Sequence, residues 1–162
     1  LEPLLADRDH REVAHQLPPL DVMRQEVAAC HRCQELARTR TQTVFGTGNT
    51  SARLCFMGEA PGADEDKRGE PFVGRAGQLL TDILQKGMGL RREDVYILNV
   101  LKCRPPNNRT PAVDEVANCR EYFERQLAAI RPEFICCLGS VASQALLQTN
   151  LSLGKLRRRF HE

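Results

Sequence analysis

The sequence predicts an α/β fold in which a parallel sheet lies between helical layers. Two observations carry this reading. First, three short apolar runs, Arg53–Met57, Val95–Val100 and Glu133–Leu138, are nearly unbroken rather than alternating, as expected of strands buried on both faces. Second, segments with apolar residues at helical spacing separate and follow these runs: Ala76, Leu79, Leu80, Ile83 and Leu84; then Val113, Val116, Ala117, Phe123, Leu127 and Ile130; then the stretch from Gly139-Ser140 to about Gln148. The order β-α-β-α-β-α implies right-handed crossovers, which bring all three strand carboxyl ends to one rim. Open sheets of this kind bind ligands at that rim.

The composition fits one domain with a real core: 162 residues, 41% hydrophobic, 27% charged, with a net charge of +2 that by itself selects no partner. No apolar run reaches membrane-spanning length and no secretory leader is visible, so a cytoplasmic protein with no membrane contact is expected. Seven cysteines, an odd number, then read as reduced thiols rather than a disulfide framework. Cys55, Cys136 and Cys137 fall inside strand runs and are expected in the core. The opening Leu1 and the closing GKLRRRFHE read as the cut ends of a longer protein.

In chain order, residues 1–19 show no periodicity and read as a tail or linker, with the domain following over 20–162. Residues 21–29 suit a short helix capped by Asp21. Residues 44–49, VFGTGN, are turn-rich. After the first strand comes GEAPGADEDKRGEPFVGRAGQLL (58–80), whose acids Glu59, Asp64, Glu65, Asp66 and Glu70 are too dense for a plain connection. A long loop inside a compact fold is usually functional or disordered, and the helix that follows argues for function. Gly87 and Gly89 should stop that helix, and Thr110-Pro111 should start the next. At the shared rim, the acidic loop meets Asn99 and the basic, proline-broken segment Lys102–Pro111.

Cys30 and Cys33 have C-x2-C spacing, and Cys103 and Cys119 flank the basic segment. One centre holding all four would pin the N-terminal segment to the basic loop. Tetrahedral zinc and an iron–sulfur cluster both accept four thiolates, and spacing alone favours zinc.

Several motifs together resemble the family-4 uracil-DNA glycosylases, the iron–sulfur branch of the uracil-DNA glycosylase superfamily. They are C-x2-C at 30–33, VFGTGN at 44–49, GEAPGADED at 58–66, PFVGRAGQLL at 71–80, VYILNVLKCRPPNNR at 95–109, and Cys119. They run collinearly from about Cys30 to Phe160. The resemblance implies a three-layer α/β/α, uracil-DNA glycosylase-like fold and a 4Fe-4S cluster on Cys30, Cys33, Cys103 and Cys119. It implies hydrolysis of the N-glycosidic bond of uracil in single- or double-stranded DNA by a monomer. In this resemblance Gly58, Glu59, Ala60, Phe72 and Asn99 bind the base, with Phe72 stacking and Asn99 reading the uracil edge. Glu65, Glu59 and Asn108 serve the carboxylate and water-holding roles, and Lys102, Arg104 and Arg109 meet DNA phosphates. Two departures matter. The family's His-Pro loop is absent before Glu162, which predicts a weak or inactive fragment, and His161 lacks that context. No histidine lies in 104–118, so covalent trapping of uracil-DNA through a histidine there is rejected. The alternatives are a non-catalytic DNA-binding module of the same fold, and a zinc-stapled nucleotide-binding α/β protein.

Overall fold

The structure, a computed structural model, describes residues 17–162. Most of the expected tail, with His10 and His15, lies outside the described residues. Leu17, within the expected tail boundary, already packs against the core.

Four strands form one sheet in the order β1-β3-β2-β4: β1 (Thr47–Gly48), β2 (Leu54–Gly58), β3 (Tyr96–Asn99) and β4 (Phe134–Cys137). β2 pairs in parallel with β3 and β4, as the unbroken apolar runs predict. The sheet is nevertheless mixed, because β1 runs antiparallel to β3, with Thr47 opposite Ile97. A two-residue strand containing a glycine carries no periodic signal, so the sequence showed only a turn there.

Strand side chains alternate between two cores. Cys55, Met57, Tyr96 and Leu98 face a large core closed by α1 (Leu20–Ala28), α2 (Gln34–Thr39), α5 (Val113–Ile130) and α6 (Ser140–Leu147). Phe56 and Ile97 face a smaller core with Leu80 and Leu84. Those two belong to α4 (Arg75–Asp82) and its π-helical extension Ile83–Met88, which ends at Gly89 in the left-handed region (φ 65). Helices on both faces of a sheet make the three-layer α/β architecture.

Several local expectations are corrected. Part of the acidic stretch is itself a helix, α3 (Ala63–Arg68). Helix α1 begins at Leu20, with no side-chain cap from Asp21. Helix α5 begins after Ala112 rather than at Thr110, because the Glu115 carboxylate reaches back to the Ala112 N–H at 2.8 Å. Of its expected buried stripe, Phe123, Leu127 and Ile130 are buried and Val116 packs against the core, whereas Val113 (89% exposed) and Ala117 face outward and Glu115, Cys119 and Gln126 turn inward. On α4 and its π-helical extension, Ala76, Leu79 and Ile83 are exposed rather than buried. Of the three strand cysteines only Cys55 is fully buried. Cys137 is half-buried and Cys136 exposed, because β4 is an edge strand with one face uncovered. A last short helix, α7 (Leu153–Leu156), follows.

Candidate functional site

The parallel register sets Gly58 directly beside Asn99 at the carboxyl ends of β2 and β3. The Val100 N–H donates to the Gly58 carbonyl at 2.9 Å and the Leu101 N–H to the Glu59 carbonyl at 3.0 Å, so the two chain exits stay paired past the sheet. Asn99 is 2% exposed, and its Oδ1 is buried without a hydrogen-bond partner among the described residues. A buried polar atom left unpaired costs roughly 1–3 kcal/mol and calls for an explanation.

Phe72 closes the same space. A Cβ built on Gly58 would lie 2.5 Å from both Phe72 Cζ and Asn99 Oδ1. Glycine is therefore needed here for room. The Phe72 ring and the Asn99 amide therefore meet over Gly58, a candidate slot with Gly58 as its floor and an unpaired amide oxygen at one end. The other edge of Phe72 packs on the smaller core, so the ring is both a core member and a wall.

Phe72 holds a left-handed backbone conformation (φ 54). For a bulky residue this costs about 1–2 kcal/mol and persists only where neighbours impose it. The neighbours are identifiable. Glu65 Oε1 accepts the Val73 and Gly74 N–H groups at 3.1 and 3.0 Å, while its Oε2 accepts the Gly62 N–H at 3.1 Å. On the other side, the Arg92 guanidinium donates to the Pro71 and Phe72 carbonyls at 2.9 and 3.0 Å. A side chain on Gly77 would overlap the Phe72 carbonyl, so α4 starts flush against the loop.

The acids of the loop therefore differ in kind. Glu65, expected to activate water, has both oxygens engaged in fastening the loop. Asp66 is buried and accepts the Thr41 N–H on both oxygens, at 2.9 and 3.0 Å, which ties α3 to the 41–42 segment. Glu59 is half-buried beside the slot, and its carboxylate stands outside this hydrogen-bond network among the described residues. Ala60 is also half-buried and packs against the large core.

The basic loop departs most from expectation. Lys102 is 1% exposed, so it cannot meet a phosphate; burial pulls its ammonium down to about 7. Its Nζ donates to the Asn99 carbonyl at 2.9 Å and the Phe45 carbonyl at 3.2 Å. Arg109 is committed to Glu115 and Glu35, at 2.6 and 2.8 Å. It joins α2 to α5 instead of projecting as a free cation. Arg104 Nε donates to Asn108 Oδ1 at 2.8 Å, so Asn108, exposed and left-handed (φ 54), braces the loop.

All four cysteines singled out above lie on this side of the large core, where Cys103 feels the charges of Cys30 and Cys33, and Cys119 those of Cys103 and Cys33. Burial raises the thiols of Cys33 and Cys103, and pushes Cys119 up to about 11. Donors already point at the sulfurs: Arg40 at Cys103 (3.1 Å) and Asn118 at Cys33 (3.4 Å). Arg40 also donates to the Cys30 carbonyl at 2.8 Å. Among the described residues no three His, Cys, Asp or Glu side chains gather tightly enough for a single metal ion. Arg40, Asn118 and Arg92 were missed by sequence reasoning, since each acts on a motif residue from a segment with no motif of its own.

The ion pair that clamps this region sets a pH test. Arg109 hydrogen-bonds Glu115 and holds its carboxyl below the ordinary value of 4.5. With a folded value below the unfolded one, the stabilisation is present above 4.5 and is lost as pH falls through the depressed value. The stability gap between wild type and Glu115→Gln, measured by denaturant unfolding, should be full at neutral pH and shrink in acid. A gap that stays constant would remove the pair as its cause.

Fold and site together define an α/β protein in which Gly58, Phe72 and Asn99 gather at the carboxyl ends of the two central strands, beside four cysteines. Residues 45–161 match the family model of the uracil DNA glycosylase superfamily, and the chain belongs to that superfamily. It is 58% identical over 125 residues to a type-4 uracil-DNA glycosylase of Archaeoglobus fulgidus, covering 77% of this chain and 62% of that protein. Type-4 uracil-DNA glycosylases of Saccharolobus solfataricus and Thermotoga maritima are 46% and 50% identical, covering 88% and 76% of this chain and 67% and 63% of theirs. The chain thus spans about two thirds of the length of these relatives. No helix among the described residues is long and apolar enough to cross a membrane.

Proposed function

We propose that this protein hydrolyses the N-glycosidic bond of uracil in DNA and leaves an abasic site. The observation that carries the reading is the unpaired Asn99 Oδ1, which lies with the Phe72 ring against Gly58. Uracil carries an N3–H that this oxygen can accept, and an O4 that the amide N–H can serve. Cytosine has a bare N3 and an amino group, so it mispairs at both points. Such a site discriminates strongly because the wrong base leaves buried groups unpaired. The base must leave the DNA stack to enter, at a cost of a few kcal/mol, and stacking on Phe72 returns roughly 1–3 kcal/mol.

Bond cleavage places positive charge on the sugar and negative charge on the departing uracil. Glu59, at the slot and free of the loop's hydrogen bonds, is the carboxylate for the sugar side. Backbone N–H groups of 58–60 favour the leaving base. Glu65 acts through Phe72, by holding the loop. Arg104 is the remaining phosphate contact of the three cations named from sequence, with Asn108 fixing its direction. On this reading the protein acts as a monomer on single- or double-stranded DNA in the cytoplasm.

The four thiols suit a 4Fe-4S cluster on Cys30, Cys33, Cys103 and Cys119. Hydrogen-bond donors aimed at the sulfurs and the neighbouring cations Arg40 and Lys102 suit thiolate ligands. The cluster supplies a cross-link, tying the α1–α2 turn to the basic loop and α5. Iron and acid-labile sulfide in the purified protein, with zinc absent, test this.

The activity test is a uracil-containing oligonucleotide followed by alkali and gel analysis, for this chain and for one extended to the length of its relatives. Cleavage confined to uracil is expected; none by the extended chain overturns the reading. Gly58→Ala drives a methyl group into the Phe72 ring and the Asn99 amide oxygen, so ring and amide must shift from their places. Overpacking costs roughly 1–3 kcal/mol, so kcat/KM should fall about 5- to 150-fold. Unchanged kcat/KM would show that Gly58 is not the floor.

A further inference from the structure

We propose that Arg92 is the positioning residue for the stacking ring, an inference that rests on the uracil-slot reading above. Arg92 opens the 3-10 turn Arg92–Asp94 that leads into β3, far from Phe72 in sequence. Its Nη2 donates to the Pro71 carbonyl at 2.9 Å. Its Nη1 donates to the Phe72 carbonyl at 3.0 Å and to Thr81 Oγ1 at 3.4 Å. The Thr81 hydroxyl passes the contact on, donating to the Gly77 carbonyl at 3.1 Å. One planar cation thus holds the two carbonyls before and at the left-handed residue and the helix turn pressed against it.

The arrangement is more specific than a surface ion pair. Among the described residues Arg92 hydrogen-bonds no carboxylate, only carbonyl and hydroxyl oxygens, though it is half-buried. Glu65 holds the opposite polarity of the same loop, accepting the N–H groups of Val73 and Gly74. Carbonyls on a guanidinium and N–H groups on a carboxylate fix the peptide planes on both sides of Phe72. With both planes fixed, the Cα–Cβ bond of Phe72 is aimed at the strand ends, and its ring lies against Gly58. A lysine carries the charge but not the fork, so it cannot hold two carbonyls in one plane.

The test is a double-mutant cycle with Phe72 in the iron-loaded protein, extended to relatives' length if that is the active form. Arg92→Lys alone should lower kcat/KM for uracil-DNA by about 5- to 150-fold, the span of one lost base stack. In a Phe72→Ala background Arg92→Lys should cost almost nothing further. An equal loss in both backgrounds would make Arg92 a general structural residue and overturn the proposal. The protein has no tryptophan, so Phe72→Trp supplies a single indole for an activity-free readout. Its time-resolved anisotropy should show a held ring with Arg92 and faster local motion with Arg92→Lys, and equal decays would also overturn the proposal. If the parent protein releases no uracil but Arg92 still restrains the indole, the functional reading fails and the positioning role stands.

Discussion

Replacing Asn99 by Asp is expected to cut uracil excision by on the order of 100-fold or more, and to narrow the preference for uracil over cytosine. The wild-type amide presents an unpaired Oδ1 in a site with almost no access to water. A carboxylate there has two acceptors and nothing to give uracil O4, so one buried oxygen faces another. At roughly 1–3 kcal/mol for each mispaired buried group, two mispairs account for the expected loss. In its protonated form the acid can donate to the bare N3 of cytosine, which is why discrimination narrows. Matched oligonucleotides carrying uracil or cytosine at one position give both numbers. An unchanged ratio of the two rates would remove Asn99 as the reader of the base edge.

The second large effect is expected at Lys102. As a surface cation, Lys102→Met would weaken DNA binding and flatten its salt dependence. Burial predicts something else. Its ammonium holds the Asn99 and Phe45 carbonyls and lies near Cys119 and Cys103. Methionine fills the space but leaves the Asn99 carbonyl without this donor, while the Phe45 carbonyl keeps the Gln126 Nε2–H at 2.9 Å. The expected cost is roughly 2 kcal/mol, a fall of about 4–8 °C in Tm for a chain of this size. Iron content should drop as well, because a cation beside the thiolates is lost. The salt dependence of DNA binding should stay as in wild type. A flattened salt dependence with Tm and iron unchanged would return Lys102 to the surface role.

These two residues show what was legible in the sequence. Asn99 ends an apolar strand at the rim where parallel sheets bind ligands, and the unbroken runs and crossover order locate that rim without coordinates. Lys102 sits three positions on, in a segment that reads as basic and proline-broken. Nothing in the sequence tells a lysine that reaches solvent from one folded back onto two carbonyls. Arg109 fails in the same way, since Glu35 lies 74 positions away and meets it only in the fold. The acidic loop was found as a unit, yet its members divided. Asp66 fastens to the Thr41 N–H and Glu65 to N–H groups at 62, 73 and 74, contacts that depend on how the loop closes.

The sequence by itself determined the sheet's parallel core, the rim that carries the slot and the four thiols worth grouping. Those features follow from local periodicity and residue type, which each segment carries alone. Tertiary structure decided the antiparallel β1, the exposed face of β4, the burial of Lys102 and the left-handed Phe72 held between Glu65 and Arg92. Each of these depends on which backbone groups find partners across distant segments. Hydrogen-bond pairing of that kind is settled only when the chain has closed on itself.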